Sequence, residues 1–171
     1  YHCHGCGEWH DELPMHYGAA APALWHMIPE AERERRCVLS SDQCIVDDEH
    51  FFIVGNIEIP VAGVEERFSW DVWVSLIAKN FKRAGDLWET PGREAEPPYF
   101  GWLSTSLPCY PETTLHLKTH VHTREAGRRP RIELEPTMHP LGWSSARASP
   151  WPACRRSPSR CCTAAEAPSP A

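Results

Sequence analysis

Cys3 and Cys6 stand with two residues between them, with Gly7 directly after the second and His10 four positions on. Thiolates at this spacing close on one metal ion, and a glycine after the second supplies the positive φ of the tight turn. The chemistry expected is a structural zinc knuckle held by Cys3, Cys6 and His10. A closed tetrahedral site takes a fourth ligand. Cys44, at the start of an expected strand, is the first choice. Cys37 has the right chemistry, and His16 and His26 are spares. Thiol redox chemistry is the other use of a Cys-x-x-Cys pair. That motif normally opens a helix, which lowers the thiolate pKa, whereas the flanking glycine and histidines here read as a loop.

A second group lies in "LHLKTHVHT". Strand alternation puts Leu115, Leu117, Thr119 and Val121 on one face and His116, Lys118, His120 and His122 on the other. His120 and His122, with His139 and with Glu135 as base, would suit metal-assisted hydrolysis. Lys118 in the same row repels a dication, and a solvated strand face is the plainer reading. Glu133 and Glu135 likewise share one side of "IELEP". Paired carboxylates serve acid–base work or pair with cations across a sheet, and Arg124, Arg128, Arg129 and Arg131 are close in sequence. Trp70, Trp73, Tyr99, Phe100, Trp102 and Tyr110 are mostly core aromatics, of which an exposed subset would form a binding groove. Cys109 in "LPCYP" would need a histidine partner to act as a nucleophile and no motif marks one, and no phosphate-cradling glycine loop, G-x-S-x-G or H-E-x-x-H motif occurs. The chemistry points to a non-enzymatic binding domain ahead of an enzyme.

The elements that must carry these residues are legible in part. "PEAERERR" has a proline to open a helix and glutamates in its first turn, which suits the helix dipole. "CIVDDEHFFIVGNIEIPV" reads as two short strands, with a turn at Asp47-Asp48-Glu49 and a bend at Gly55-Asn56. "RFSWDVWVSLIA" alternates Phe68, Trp70, Val72, Val74 and Leu76 as a strand. "KNFKRAGDLWE" suits a short helix packing Phe81 and Leu87 or Trp88. "TLHLKTHVHT" and "PRIELEP" are further strands about the turn "REAGRR". Short connections favour antiparallel pairing. The expected fold is one α+β domain over residues 1–143, with a mainly antiparallel sheet, one or two short helices and the N-terminal Cys/His knuckle.

Charge divides the chain: residues 1–143 carry a net −9 and the last 28 a net +3, within a total of −6. An acidic body opposes nonspecific nucleic-acid binding. No apolar run is long enough to span a bilayer. Eight cysteines at scattered spacing in 171 residues suit a reduced cytoplasmic protein better than a disulfide scaffold. Residues 144–171 lack Val, Ile, Leu, Met, Phe and Tyr, so they are expected to be a disordered low-complexity tail. Their Ala, Arg, Pro, Ser and Cys content is that of GC-rich DNA read out of frame. One base inserted near Gly142–Trp143 opens a frame with helical periodicity.

The stretches "CHGCGEWHDELP", "DQCIVDDEHFFIVGNIEIPV", "FSWDVWVSLIAKNFKR" and "PPYFGWLSTSLPCYPETTLHLKTHVHTREAGRRPRIELEPTMHPL" together resemble the bacterial family called domain of unknown function 2199, over about residues 3–141. "YFGWL", "LKT-x-VH" and "IELEPT-x-HPL" are the most specific motifs. The resemblance implies a compact bacterial cytoplasmic protein and assigns no activity. It leaves the partner, protein or small molecule, open.

Overall fold

Branched and aromatic side chains at alternate positions build two long strands, β4 (His50–Ile59) and β5 (Phe68–Leu76). They pair antiparallel from Phe51↔Leu76 to Ile59↔Phe68. This hairpin is the spine of the computed structural model, which describes Trp9, residues 15–63 and residues 65–146. Around it lie β1 (His16–Gly18), β2 (Cys37–Leu39), β3 (Gln43–Val46), β6 (Tyr99–Leu103), β7 (Lys118–His122) and β8 (Arg131–Leu134). The helices are α1 (Ala23–Met27), α2 (Glu30–Arg36), α3 (Ala78–Asp86) and α4 (Pro140–Ala146), with a 3-10 turn at Arg93–Ala95.

The architecture is sheet-rich α+β, with four short α-helices among the described residues where one or two were expected. α1 escaped notice because it has five residues, no acidic first turn and no side-chain cap. α4 begins at Pro140 and crosses the expected end of the ordered body at residue 143. The remaining tail, and with it the reading-frame argument, lies outside the described residues, as do Cys3, Cys6 and His10.

The sheet closes on itself. The path β5-β6-β7-β8-β4 returns to β5, making a five-stranded barrel. Four of its joints are antiparallel. The fifth, β4 with β8, is parallel through Asn56↔Arg131, and the Asn56 N–H donates to the Pro130 carbonyl at 2.9 Å. A meander with an odd number of strands can close only through a parallel pair. β1 also runs parallel to β5, on the edge that β6 leaves uncovered.

The barrel interior holds the expected face of β5 (Phe68, Trp70, Val72, Val74 and Leu76) with inward side chains from the other strands, and Leu141 of α4 joins them. So small a barrel has room for few large side chains. Gly55 and Gly101 make that room: a Cβ at Gly55 would stand 2.5 Å from Ile132 Cδ1, and one at Gly101 2.4 Å from Val74 Cγ1. The expected bend at Gly55-Asn56 is therefore corrected, since β4 runs straight through and the glycine admits β8. The turn at Asp47-Asp48 is as expected, with both residues at positive φ. A second cluster, outside the barrel, packs Trp73, Phe52, Val54, Cys44 and Val46 beneath α1 and its flanks.

Candidate functional site

Alternation along β6 turns Tyr99 and Leu103 inward and leaves Phe100 and Trp102 on the outer face, each 40% exposed. Their rings meet edge to face at 5.3 Å. Register then sets the neighbours: Phe100 opposes His120, and Trp102 opposes Lys118. Lys118 Nζ lies 6.0 Å from the Trp102 ring, and the His120 ring is 6.3 Å from Phe100. Ile77, 64% exposed, continues the same side of β5 two residues past Ser75, the partner of Trp102. The result is a small apolar centre on the face of β6.

Beyond β7 the same face turns polar. His120 Nε2 is 3.4 Å from Glu135 Oε1, and His122 Nε2 is 2.7 Å from Glu133 Oε2. Arg131 reaches the same Glu133 oxygen at 3.4 Å. Strand pairing thus sets His120 against Glu135 and His122 against Glu133 as two separate pairs, so the carboxylates take histidines as their main partners. The face leads into a cleft of about 810 Å³ between β8 and α4, bounded by Glu58, Arg67, Arg131, Leu134 and Trp143.

His139 does not join them. Its Nδ1 accepts the Leu141 N–H at 3.1 Å, which leaves the proton on Nε2, 3.2 Å from the Glu112 carbonyl. Both ring nitrogens are spent on holding the start of α4, and the ring packs on Tyr110. Among the described residues no three His, Cys, Asp or Glu side chains come together as a metal site. His116 also leaves the expected row, because positive φ takes it out of the strand.

The described thiols are poor nucleophiles. Burial raises the Cys37 thiol and pushes Cys44 and Cys109 up to about 12. Cys44 is wholly enclosed in the apolar cluster of Trp73, Phe52 and Val54. Its side chain faces hydrocarbon, which is a poor place for a dication's ligand. Cys37 lies at the edge of that cluster, half-buried. Burial lowers His26, and the charge of Arg33 lowers it further.

Sequence reasoning missed one polar cluster. Asp71, only 6% exposed, sits on the outer side of β5 between β4 and β1. It accepts from the Asn56 amide, and from Arg129 Nη1 at 2.5 Å. His16 Nε2 is 3.1 Å from Oδ2, the same oxygen that Arg129 holds. Arg129 Nε also donates to Asp42 at 2.7 Å and Nη2 to the Ser41 carbonyl at 3.0 Å. The one available signal was an aspartate in the middle of an apolar strand, since a buried carboxylate demands partners. A second buried cation, Arg93, donates to the carbonyls of Arg124, Glu125 and Arg128 and so shapes the turn between β7 and β8.

A family model for an uncharacterised protein conserved in bacteria, domain of unknown function 2199, matches residues 2–147. No curated protein and no solved structure matches the chain. No helix among the described residues is long and apolar enough to cross a membrane.

Proposed function

The chain belongs to the uncharacterised bacterial family that it matches, and on that premise we propose that it is a non-enzymatic, protein-binding domain of the cytoplasm. Its binding surface is the outer face of β6–β8, and its N-terminal Cys/His segment is a structural zinc knuckle. The observation that carries the reading is the exposed Phe100–Trp102 pair in register with Lys118 and His120. An aromatic centre with a polar rim of both signs is the anatomy of a protein interface. Glu133 and Glu135 beside Lys118 and Arg131 give no single-signed field, which speaks against a polyanion such as nucleic acid. Raised thiols and a His139 consumed by backbone bonds speak against nucleophilic and metal-hydrolytic chemistry at these residues. The three described cysteines are unbridged, which favours a reducing compartment.

A photo-crosslinking amino acid at Phe100 in the living bacterium, with Glu34 on α2 as the control position, identifies the partner for reconstitution. Phe100→Ala and Trp102→Ala are each expected to weaken the purified complex by about 30-fold or more, as truncation of an interface anchor does. An unchanged Kd, or equal crosslinking from Glu34, refutes the surface. Concentration-dependent self-association abolished by the same variants would make a second copy the occupant and overturn the heterologous partner. Zinc lost on Cys3→Ser and Cys6→Ser but retained in His120→Ala is the result expected for the knuckle.

A further inference from the structure

We infer that the cleft between β8 and α4 binds a small aromatic anion, a flat apolar body carrying one carboxylate or phosphate. It is a second site, reached past the β6–β8 face and independent of the N-terminal knuckle.

The cleft follows from the way the barrel closes. β8 meets β4 at one residue pair, Asn56↔Arg131, and α4 packs against both strands. The helix is firmly moored: Leu141 is wholly buried in the barrel core, and His139 Nδ1 accepts its N–H at 3.1 Å. What remains beside it is a cleft of about 810 Å³, the size of a small-molecule site. Leu134 and Pro136 give it apolar wall, and so does Trp143, two residues past Leu141 and 56% exposed.

The charges on the walls select the ligand. Two carboxylates line the cleft, and both are engaged. Glu58 accepts from Arg124, while Glu133 lies 2.7 Å from His122 and 3.4 Å from Arg131. Arg67 lines the same cleft and has no ion pair or hydrogen bond among the described residues. A guanidinium fork takes a carboxylate or phosphate through two parallel, charge-assisted hydrogen bonds. Arg131, tied to Glu133 by one long contact, is free to share the anion. The Trp143 indole offers the flat body an aromatic surface to pack against. A cation would meet the unspent charge of Arg67, and an aliphatic anion would leave the indole unused.

The test titrates the full chain with indole-3-acetate, benzoate and phenyl phosphate, and with tryptamine and acetate as the cationic and aliphatic counterparts. Calorimetry reads affinity, and the indole ¹H–¹⁵N spectrum reads the place of binding. At least one aromatic anion is expected to saturate with a Kd below about 1 mM and to move the Trp143 resonance. It should bind about 10-fold or more tightly than either counterpart. Arg67→Gln and Trp143→Ala change exposed side chains and leave the core intact. Each is expected to weaken that binding about 10-fold or more, as loss of a hydrogen-bonded charge or of an aromatic anchor does. Lys79→Gln, a cation lining a different cleft beside α3, should leave it unchanged, and so should Phe100→Ala on the β6 face. No saturation by any of the three anions up to roughly 10 mM, equal affinity for tryptamine or acetate, or wild-type affinity in Arg67→Gln overturns the inference.

Discussion

Replacing Gly55 by alanine is a direct test of barrel closure. Gly55 lies in an ordinary strand conformation, so alanine meets no backbone strain. By itself the change would stabilise by up to about 1 kcal/mol, because the unfolded chain loses freedom. The barrel reverses that sign. The new Cβ would stand 2.5 and 2.7 Å from Ile132 Cδ1 and Cγ1 and 2.8 Å from the Pro130 carbonyl oxygen. Overpacking of this kind costs about 1–3 kcal/mol, and the oxygen is backbone, so it yields only if β8 moves. The expected net loss is about 1–2 kcal/mol, a fall in Tm of roughly 3–8 °C for a domain of this size. The loss should be local as well as global. The Asn56 N–H donates to Pro130 O across the seam, so its hydrogen-exchange protection should fall more than that of Val72 within the β4–β5 ladder. Ile132→Val removes the nearest clashing atom and should rescue Gly55→Ala in part, with a coupling of about 0.5 kcal/mol or more. A variant as stable as wild type, with Asn56 still protected, would show that β4 and β8 do not meet as described.

Other outcomes follow from the same geometry. Burial opposes ionisation of Asp42, but hydrogen bonds from Ser41 and Arg129 and the charge of Arg129 outweigh it and hold the carboxyl below its ordinary value. Its contribution is therefore complete above that ordinary value and is lost as pH falls through the lowered folded value, so Asp42→Asn should flatten the acid limb of a Tm–pH curve. In the native chain at mildly alkaline pH, iodoacetamide should modify Cys44 and Cys109 far more slowly than the same peptides after unfolding, since burial pushes both thiols up to about 12; peptide-level mass spectrometry reads the ratio. Trp73, 1% exposed, donates its indole N–H to the Ala19 carbonyl at 2.8 Å, and Trp73→Ala should cost about 3–5 kcal/mol in denaturant unfolding.

Alternation exposed β5 in the sequence because one of its faces is uniformly apolar, and Phe68 through Leu76 fall inside the barrel accordingly. Trp73 and Asp71 on the opposite face are buried too, a fact that period-2 reasoning cannot supply, since their cover comes from α1's flanks and from Arg129, distant in sequence. Gly55-Asn56 reads as a turn signal because the same lack of a Cβ serves a bend or a close approach. Only the arrival of Ile132 decides which. The site divides in the same way. The histidine row of β7 and the Glu133–Glu135 pair of β8 were each legible as a polar strand face, but their pairing with one another was not, since arginines close in sequence offered the carboxylates equal partners. His139 was not separable from them in sequence, because its partners are the Glu112 carbonyl and the Leu141 amide, and backbone groups leave no mark in a residue pattern. The exposure of Phe100 and Trp102 was likewise hidden, since an aromatic pair at alternate positions suits either face of a strand.

The parallel seam between β4 and β8 also sets a timetable for synthesis. β4 and β5 leave the ribosome early and can pair as soon as both have emerged. β4's second edge, at Asn56, has to wait until Pro130 and Arg131 arrive. Through that interval a nascent chain presents an unpaired strand edge and an open apolar lumen, the features that recruit other chains. Closure is thus a late, long-range event, and a polypeptide released before β8 leaves the tunnel is a substrate for chaperones or proteases, with every strand of the barrel but one already made.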